Sequence, residues 1–464
     1  MQNKIGMKNT SKMTKAELRA GVSLALVFFL RMFSLFLVLP VLAIYASEFA
    51  GATPILIGLA LGIYGLSQAL LQVPFGMLSD RWGRKPVIIM GLVIFACGSI
   101  IAGTADSIYM IIAGRTLQGA GAIASAVMAL AADLTREEQR TKTMAIIGIS
   151  VGAAFSLAFV AGPLLVPVIG VNGIFLTSAV LACVAIGILV ILVPRPDTLH
   201  IHCDTELVTT QLIRVLKNWN LIRLDIGIFI LHLVLMANFV VIPLALLNQA
   251  GIPTAQHWQV YLPVLFISAI IMFPFLILGE RRKQVKVIFT GAVLLLMLSQ
   301  LGLSLWHETT LQLALMMVVF FTAFNYMEAM LPSLISKTAT VTSKGTALGV
   351  YSTSQFIGIF IGGLAGGTLY GNFGMTSVFL FSALIAACWL FVTLTMPDPD
   401  RNISHMIKLG IINQEQAGRL VERLSAVAGV DEAVVIAEDG IAYLKVDKRF
   451  LDYEALNAFI SKEQ

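Results

Sequence analysis

Two side chains that can exchange protons interrupt the long apolar stretches of this 464-residue sequence, Glu328 and His232. The same stretches contain two arginines, Arg31 and Arg115. An ionisable side chain among apolar residues is costly and usually functional, and a carboxylate with an imidazole can exchange a proton near neutral pH. These four residues are therefore candidates for proton coupling. Two alternatives stay open: a fixed ion pair between Glu328 and either arginine, and a His232 that only bonds a backbone carbonyl.

Uncharged polar side chains recur in the same apolar stretches. Such groups either line a path for a small molecule or join neighbouring helices by hydrogen bonds. Because they come from both halves of the chain, we expect the path to lie between the halves. The residues predicted to line this substrate cavity are Tyr64, Gln68, Gln118, Asn238, Asn325, Tyr351 and Gln355.

The composition indicates a membrane protein. Apolar residues make up 58% of the chain and charged residues only 12%, whereas soluble domains are about 45–50% apolar and about 25% charged. A soluble enzyme is therefore excluded. Residues 401–464 hold 18 of the 57 charged side chains, so a soluble module follows a membrane body.

Charge and cysteine content predict neither a nucleic-acid partner nor a metal site. The basic excess lies in residues 1–400, where in a membrane protein it sets topology. The four cysteines are far apart in sequence, so no disulfide framework or CxxC site is indicated. One short run with metal-ligating side chains, in the loop between the halves, is kept as an alternative: His200, His202, Cys203 and Asp204.

Twelve apolar stretches are long enough to span a bilayer as helices, which takes about 20 residues. This predicts an all-α membrane protein with twelve transmembrane helices in two six-helix bundles. The stretches are 21–46, 56–79, 86–104, 107–132, 143–165, 171–193, 225–249, 257–279, 285–305, 310–335, 345–370 and 375–396.

Lysine and arginine fall on one side of this arrangement. With the N-terminus taken as cytoplasmic, 29 of the 31 lie in the N-terminal tail, the inner connections, the helix-end flanks or the C-terminal tail, and the six outer connections hold none. Because this bias sets topology, both termini are predicted to be cytoplasmic, with the chain in a bacterial inner membrane.

The chain divides into four predicted parts: six helices in 1–193, a linker with an amphipathic helix in 194–224, six helices in 225–400, and the module 401–464. Shifting the sequence by 201 positions aligns Gly148, Phe155, Phe159 and Gly162 with Gly349, Phe356, Phe360 and Gly363. This match favours a parallel six-helix repeat of the kind found in transporters.

The connection between the second and third helices reads GMLSDRWGRKP from Gly76 to Pro86. It resembles the G-x-L-[AS]-D-R-x-G-R-[RK] signature of the major facilitator superfamily. The resemblance implies a conformational latch in which Asp80 faces the N-terminus of the eleventh helix and Arg84 pairs with Asp133, holding the outward-facing state. The latch residues are Gly76, Asp80, Arg81, Gly83, Arg84 and Asp133.

Two further signatures of the superfamily are matched, one of them partly. Arg115 opens a run that resembles R-x-x-Q-G, whose arginine is linked to proton coupling in the family. The fifth helix resembles the antiporter signature ending G-P-x-x-G-G, but leucine, valine and proline occupy residues 165–167, where glycines are expected for the last two. The residues of this antiporter motif are Gly148, Gly152, Gly162 and Pro163.

The pattern of apolar, capping and turn residues in the C-terminal module is typical of a small α/β fold. We predict a strand at 402–408, a helix capped by Asn413 and Gln416, strands at 432–438 and 441–446, and a helix at 452–462. This order predicts a ferredoxin-like domain. Ligand binding, self-association and a passive role remain open for it.

These features together predict a secondary active transporter, not an enzyme. The resemblance implies a proton-coupled antiporter that exports a small organic molecule or drug by alternating access, with the lipid bilayer and that molecule as partners. Protons are the coupling ion and no cofactor is expected. A proton symporter for uptake, or a ligand-regulated receptor or channel, is the alternative.

Overall fold

The computed structural model of the chain describes residues 13–194, 205–282, 284–340, 343–396, 402–408, 413–436, 441–447, 450 and 452. The predicted metal alternative at His200–Asp204 and nearly all of the predicted helix at 452–462 lie outside these ranges.

Helices account for almost all of the chain up to Leu394. The helices are α1 Lys15–Phe36, α2 Leu39–Tyr45, α3 Pro54–Trp82, α4 Arg84–Gly103, α5 Ile108–Ala120, α6 Ala124–Asp133, α7 Glu137–Ile191, α8 Thr205–Lys217, α9 Trp219–Asn248, α10 Trp258–Arg282, α11 Val285–Leu305, α12 Thr310–Thr338, α13 Lys344–Phe373 and α14 Met375–Leu394. Short 3₁₀ turns follow α2 and precede α10, at Ala46–Glu48 and Thr254–Gln256.

Eleven helical segments of the described chain are long and apolar enough to cross a membrane. The longest, in α7, contains Gly170 at a φ of 66°, a left-handed conformation that interrupts the helix and divides it into two spans. Twelve crossings result, and their positions agree with the predicted stretches to within a few residues.

Three differences from the predicted boundaries have local causes. Helix α1 begins at Lys15 because Thr14 and Glu17 form a reciprocal capping box. The fourth crossing is split into α5 and α6 around Gly121. Helix α9 begins at Trp219, not near residue 225, because the Asn218 side chain caps it. This last extension places Asp225 inside a helix.

The two six-helix halves touch at one end of the molecule. We call this the neutral end, since its connections contain no lysine or arginine, and the opposite end the basic end. Phe155 and Phe159 of α7 pack on three aromatic residues of the other half, with ring centroids 4.9 Å apart for Phe159 and Phe239 and 5.3 Å for Phe159 and Tyr261. Phe155 also lies 6.2 Å from Phe321. These five rings form an aromatic seal.

A glycine seam closes the neutral end beside the aromatic seal. Gly58 and Gly62 of α3 lie against Gly363 and Gly367 of α13, so closely that a Cβ on Gly58 would lie 2.8 Å from the Gly367 Cα and would clash with the Gly363 carbonyl. Only residues without a side chain permit this approach of two helix backbones.

At the basic end the two helix faces that form this contact are separated from the opposite half. We call them the α7 stripe, which contains Phe155 and Phe159, and the α13 stripe, which contains Gly363 and Gly367. Gly148 and Gly152 continue the α7 stripe of Phe155 and Phe159 at helical spacing, and Gly345 and Gly349 similarly continue the α13 stripe. A Cβ on any of these four glycines would have no described atom within 4 Å. The structure is therefore closed at the neutral end and open at the basic end, and the stripes aligned by the sequence repeat lie at the boundary between the halves.

The linker contains the predicted amphipathic helix, α8. Its Val215 is buried, while Ile213 and Leu216 are about half exposed. Thr346 of α13 donates a hydrogen bond of 3.1 Å from its Oγ1 to Gln211 of α8. The helix is therefore attached to the C-terminal half at the basic end.

The C-terminal module contains a three-stranded antiparallel sheet. Its strands are β1 Asn402–Lys408, β2 Val430–Ile436 and β3 Ile441–Asp447, in the order β1-β3-β2. Helix α15, Gln414–Ser425, begins at the predicted Asn413 and Gln416 capping box and buries Leu420 and Leu424 against the sheet. Because the second predicted helix is not among the described residues, the ferredoxin-like assignment stays a prediction.

Candidate functional site

Glu328 and His232 come together between α9 and α12. His232 Nε2 lies 3.8 Å from Glu328 Oε2 and 2.8 Å from the Gln355 side-chain nitrogen of α13. The other ring nitrogen, Nδ1, is 3.3 Å from the carbonyl of Ile228. A neutral imidazole with its proton on Nδ1 donates to that carbonyl and accepts from the amide. Three side chains predicted from sequence thus form one cluster.

The Glu328 carboxylate has free capacity for a proton. Its Oε2 atom has no hydrogen-bond partner among the described residues, although the side chain as a whole is 42% exposed midway along α12. Ionisable side chains within spanning helices usually face the bundle interior or a water-filled cavity, and the partial exposure of Glu328 is compatible with such a position. Gln355 and Glu328 therefore face the same imidazole nitrogen, and protonation of that nitrogen would favour the carboxylate over the amide nitrogen.

The predicted alternative ion pairs of Glu328 are not seen, since both arginines are bonded within the N-terminal half. Arg31 is fully buried and donates from Nη2 to the Gln68 side chain and to the Gly121 carbonyl, both at 3.0 Å. At the break between α5 and α6 the Gly121 carbonyl accepts from the backbone N–H of Ile123 at 3.0 Å and uses its second lone pair for Arg31.

Arg115 is also fully buried and uses all three guanidinium nitrogens. It donates to the carbonyls of Ala60 and Leu61 on α3 and to Gln118, at 3.0 to 3.2 Å, and its guanidinium lies 4.5 Å from the Tyr64 ring centre. Because arginine stays charged in proteins, neither arginine is a proton carrier, and any part in coupling is electrostatic.

Replacement of Arg115 by lysine should destabilise the fold. A lysine ammonium cannot reach both α3 carbonyls and Gln118 with the geometry of the planar guanidinium, and each hydrogen bond to a charged group contributes about 1.5–3 kcal/mol. We expect a clearly lower melting temperature in detergent. The matched control is Arg81→Lys at the exposed end of α3, and equal melting temperatures for the two variants would contradict the assignment.

The other predicted cavity residues separate into two groups. Tyr64, Gln68 and Gln118 are at most 1% exposed and hold the arginines, so in this conformation they do not line an open cavity. Asn238 is buried with no partner for its amide among the described atoms, and Asn325 donates to Ser268 at 3.3 Å. In the N-terminal half these polar side chains contact the two arginines, and a role for the seven residues in lining a substrate cavity stays a prediction.

Tyr351 is buried, and its hydroxyl has no partner in the described part of the chain. One acidic residue of a spanning helix, Asp225, is missed by the sequence analysis. The predicted stretch begins at residue 225, whereas α9 starts six residues earlier, so this aspartate lies inside the helix. The polar Asn218 before Trp219, a helix cap, was the signal for the true start.

The basic end carries the predicted latch residues. Arg84 at the start of α4 donates from Nε to Asp133 at 3.1 Å, from Nη1 to the Ser79 hydroxyl at 2.9 Å, and also to Asp80. Asp80 is 46% exposed. In this conformation, which is open at the basic end, its carboxylate forms an ion pair with Arg84, four residues later in the chain. Gly83, at a φ of 93°, makes the turn between α3 and α4 that brings these groups together.

The sequence pattern of the Major Facilitator Superfamily matches residues 24–324 and 224–409 of the chain. The chain belongs to the major facilitator superfamily. This makes it a multi-pass membrane transport protein rather than an enzyme.

Individual members of the superfamily agree with this assignment. The Inner membrane transport protein YajR of Escherichia coli (strain K12) is 45% identical over 443 residues, which are 95% of this chain and 97% of the relative. The Multidrug resistance protein MdtH of Yersinia enterocolitica is 25% identical over 72% of this chain and 81% of its own. A solved D-xylose-proton symporter superposes with a TM-score of 0.68 at 15% identity, covering 83% of this chain and 99% of that one.

Proposed function

We propose that the protein is a proton-coupled antiporter that exports a small organic molecule by alternating access. The observation that carries the proposal is the cluster of Glu328, His232 and Gln355, which places two groups that can exchange protons 3.8 Å apart among the spanning helices of the C-terminal half. A relative named as a multidrug resistance protein supports export, and one named as an inner membrane transport protein supports the location.

The proposed cycle uses the two arrangements that the imidazole permits. With Nε2 unprotonated, His232 accepts from Gln355, as observed. Once a proton reaches Nε2, the imidazolium pairs with the Glu328 carboxylate instead, and a bound substrate competes for that carboxylate. Because proton and substrate alter the same contacts between α9, α12 and α13, each shifts the equilibrium between the state open at the basic end and the state open at the neutral end.

The orientation follows from the positive-inside rule. The basic end is proposed to be cytoplasmic, with both termini on that side, so the structure is open to the cytoplasm and closed by the aromatic seal and glycine seam. The glycines of the antiporter motif support this orientation. Gly148 and Gly152 lie at the open end of α7, and a Cβ added to either of them would have no described atom within 4 Å. Pro163 and Gly162 follow the aromatic seal on α7.

The latch is proposed to close the cytoplasmic side in the opposite state, when Asp80 meets the N-terminus of α13. The variant Asp80→Asn should then shift the population further toward the state open at the basic end. Distances between spin labels at Thr141 and Lys344, on the two halves, should lengthen on average. Asp106→Asn, at the exposed neutral end, is the control, and distance distributions identical to the parent's would count against the latch.

Reconstituted vesicles test the function directly. The full chain, in vesicles with a trapped pH-sensitive dye, is supplied with candidate organic substrates on one side. Antiport predicts that a substrate gradient moves protons in the opposite direction. Proton movement in the same direction as substrate would indicate a symporter, and large unitary currents without substrate would indicate a channel; either result rejects the proposal.

The role of the C-terminal module is proposed only in outline. Its sheet and α15 form a small separate core, which is compatible with ligand binding or self-association. A melting curve of the full chain with and without residues 401–464, in the presence of candidate ligands, distinguishes the two.

A further inference from the structure

Asp225 lies on a cavity that is separate from the Glu328 cluster. The cavity has a volume of about 240 Å³ and lies between the linker helix α8 and the spanning helices α9 and α13, in their basic half. Apart from Asp225 and one serine its wall is apolar. The lining residues are Leu216, Ile222, Asp225, Ile226, Phe229, Val350, Ser354 and Ile357.

The Asp225 carboxylate is buried and unsatisfied. The residue is 5% exposed, and neither carboxylate oxygen has a hydrogen-bond partner among the described residues. A charge held in an apolar wall is strongly unfavourable unless a cation or a proton neutralises it. The site therefore has capacity for one positive group.

The neighbouring cation of α9 does not supply that positive group. Arg223 is directed to the start of the helix, where its guanidinium lies 5.8 Å from the Trp219 ring centre and donates to the Asn220 side chain at 3.0 Å. Among the lining residues, Leu216 and Ile357 are exposed apolar side chains, whereas Asp225 is buried. A ligand that enters past these two side chains meets hydrocarbon before the carboxylate.

We propose that this cavity binds a small organic cation with an apolar body, of the arylalkylamine class. Its ammonium group would bond to Asp225 and its hydrocarbon part would pack on Phe229 and Ile226. Drug-sized ligands occupy pockets of about 300–1,000 Å³, so this smaller cavity selects compact monocations. The site does not depend on the proposed proton coupling, since it shares no side chain with the pair of Glu328 and His232.

Calorimetric titration of the purified full chain with 2-phenylethylamine tests the site. We expect saturable binding of the amine, no comparable binding of the uncharged 2-phenylethanol, and about 10- to 100-fold weaker amine binding to Asp225→Asn, since a hydrogen bond to a charged group is lost. The matched control is Asp106→Asn, the same change at an exposed residue of the neutral end, which should bind the amine as the parent does.

Three results would overturn the proposal. They are equal amine affinity in Asp225→Asn and the parent, equal affinity for the alcohol and the amine, and the same loss of amine binding in Asp106→Asn as in Asp225→Asn. If Asp225→Asn fails to fold, Ser354→Phe replaces it, because a phenyl group there would fill the cavity and should abolish binding. Unaltered binding to Ser354→Phe would equally reject the site.

Discussion

Replacement of Glu328 by glutamine should abolish proton-coupled transport while the protein still folds. Glutamine keeps the shape of the side chain but can neither take up a proton nor pair with a protonated His232, which lies 3.8 Å away. The altered atom, Oε2, has no hydrogen-bond partner among the described residues, so few native contacts are lost. In vesicles, substrate-driven proton movement should fall to the level of protein-free membranes, whereas exchange of substrate for substrate continues.

The matched control is Glu308→Gln, the same change at an exposed loop of the neutral end. It should transport as the parent does. Normal coupled transport in Glu328→Gln would falsify the assignment of Glu328 as proton carrier. Loss of substrate exchange as well, in a variant with normal melting behaviour, would assign Glu328 to substrate binding alone.

Replacement of Gly58 by valine should prevent closure of the neutral end. The new side chain would clash with the Gly363 carbonyl and the Gly367 backbone across the glycine seam. Overpacking of this kind typically costs about 1–3 kcal/mol, which corresponds to a roughly 5- to 150-fold loss of the neutral-closed state. Transport should fall accordingly, because the cycle must pass through that state.

Spin labels at Glu48 and Asn372, exposed on the two halves at the neutral end, measure this closure. The short-distance population of the parent should be replaced by longer distances in Gly58→Val. Gly187→Val in α7 carries the same helix-propensity change where no described atom lies within 4 Å of the new Cβ, and it should leave the distances unaltered. Identical distributions in both variants would mean that the seam does not control closure.

Much of the site was predictable because polar side chains are rare in membrane-spanning helices and are therefore easily identified in the sequence. Glu328, His232 and Gln355 are each isolated polar residues in apolar stretches, and the structure brings Glu328 and Gln355 within 4 Å of the same imidazole nitrogen. The Arg84 and Asp133 contact, implied by the family resemblance, is likewise present. Their roles in coupling and latching await the experiments above.

Other parts of the site could not be predicted from isolated residues. Nothing in the sequence pairs Arg31 with Gln68, or Arg115 with the carbonyls of α3, because such contacts depend on how neighbouring helices rotate and cross. Asp225 was missed for a local reason: hydropathy locates the apolar centre of a helix well but its capped end poorly. The cavity beside it forms where α13 packs on the consecutive helices α8 and α9, more than 90 residues away in sequence.

By itself the sequence determined the membrane setting, the twelve crossings, the basic and neutral ends and the superfamily, because each of these depends on hydropathy, charge bias or a local motif. Only the tertiary structure decided which polar residues meet, that both arginines are satisfied without a carboxylate, and which end is open. The physical reason is that helix formation in a membrane is a local property of each segment, whereas rotation, crossing and domain closure depend on packing between segments.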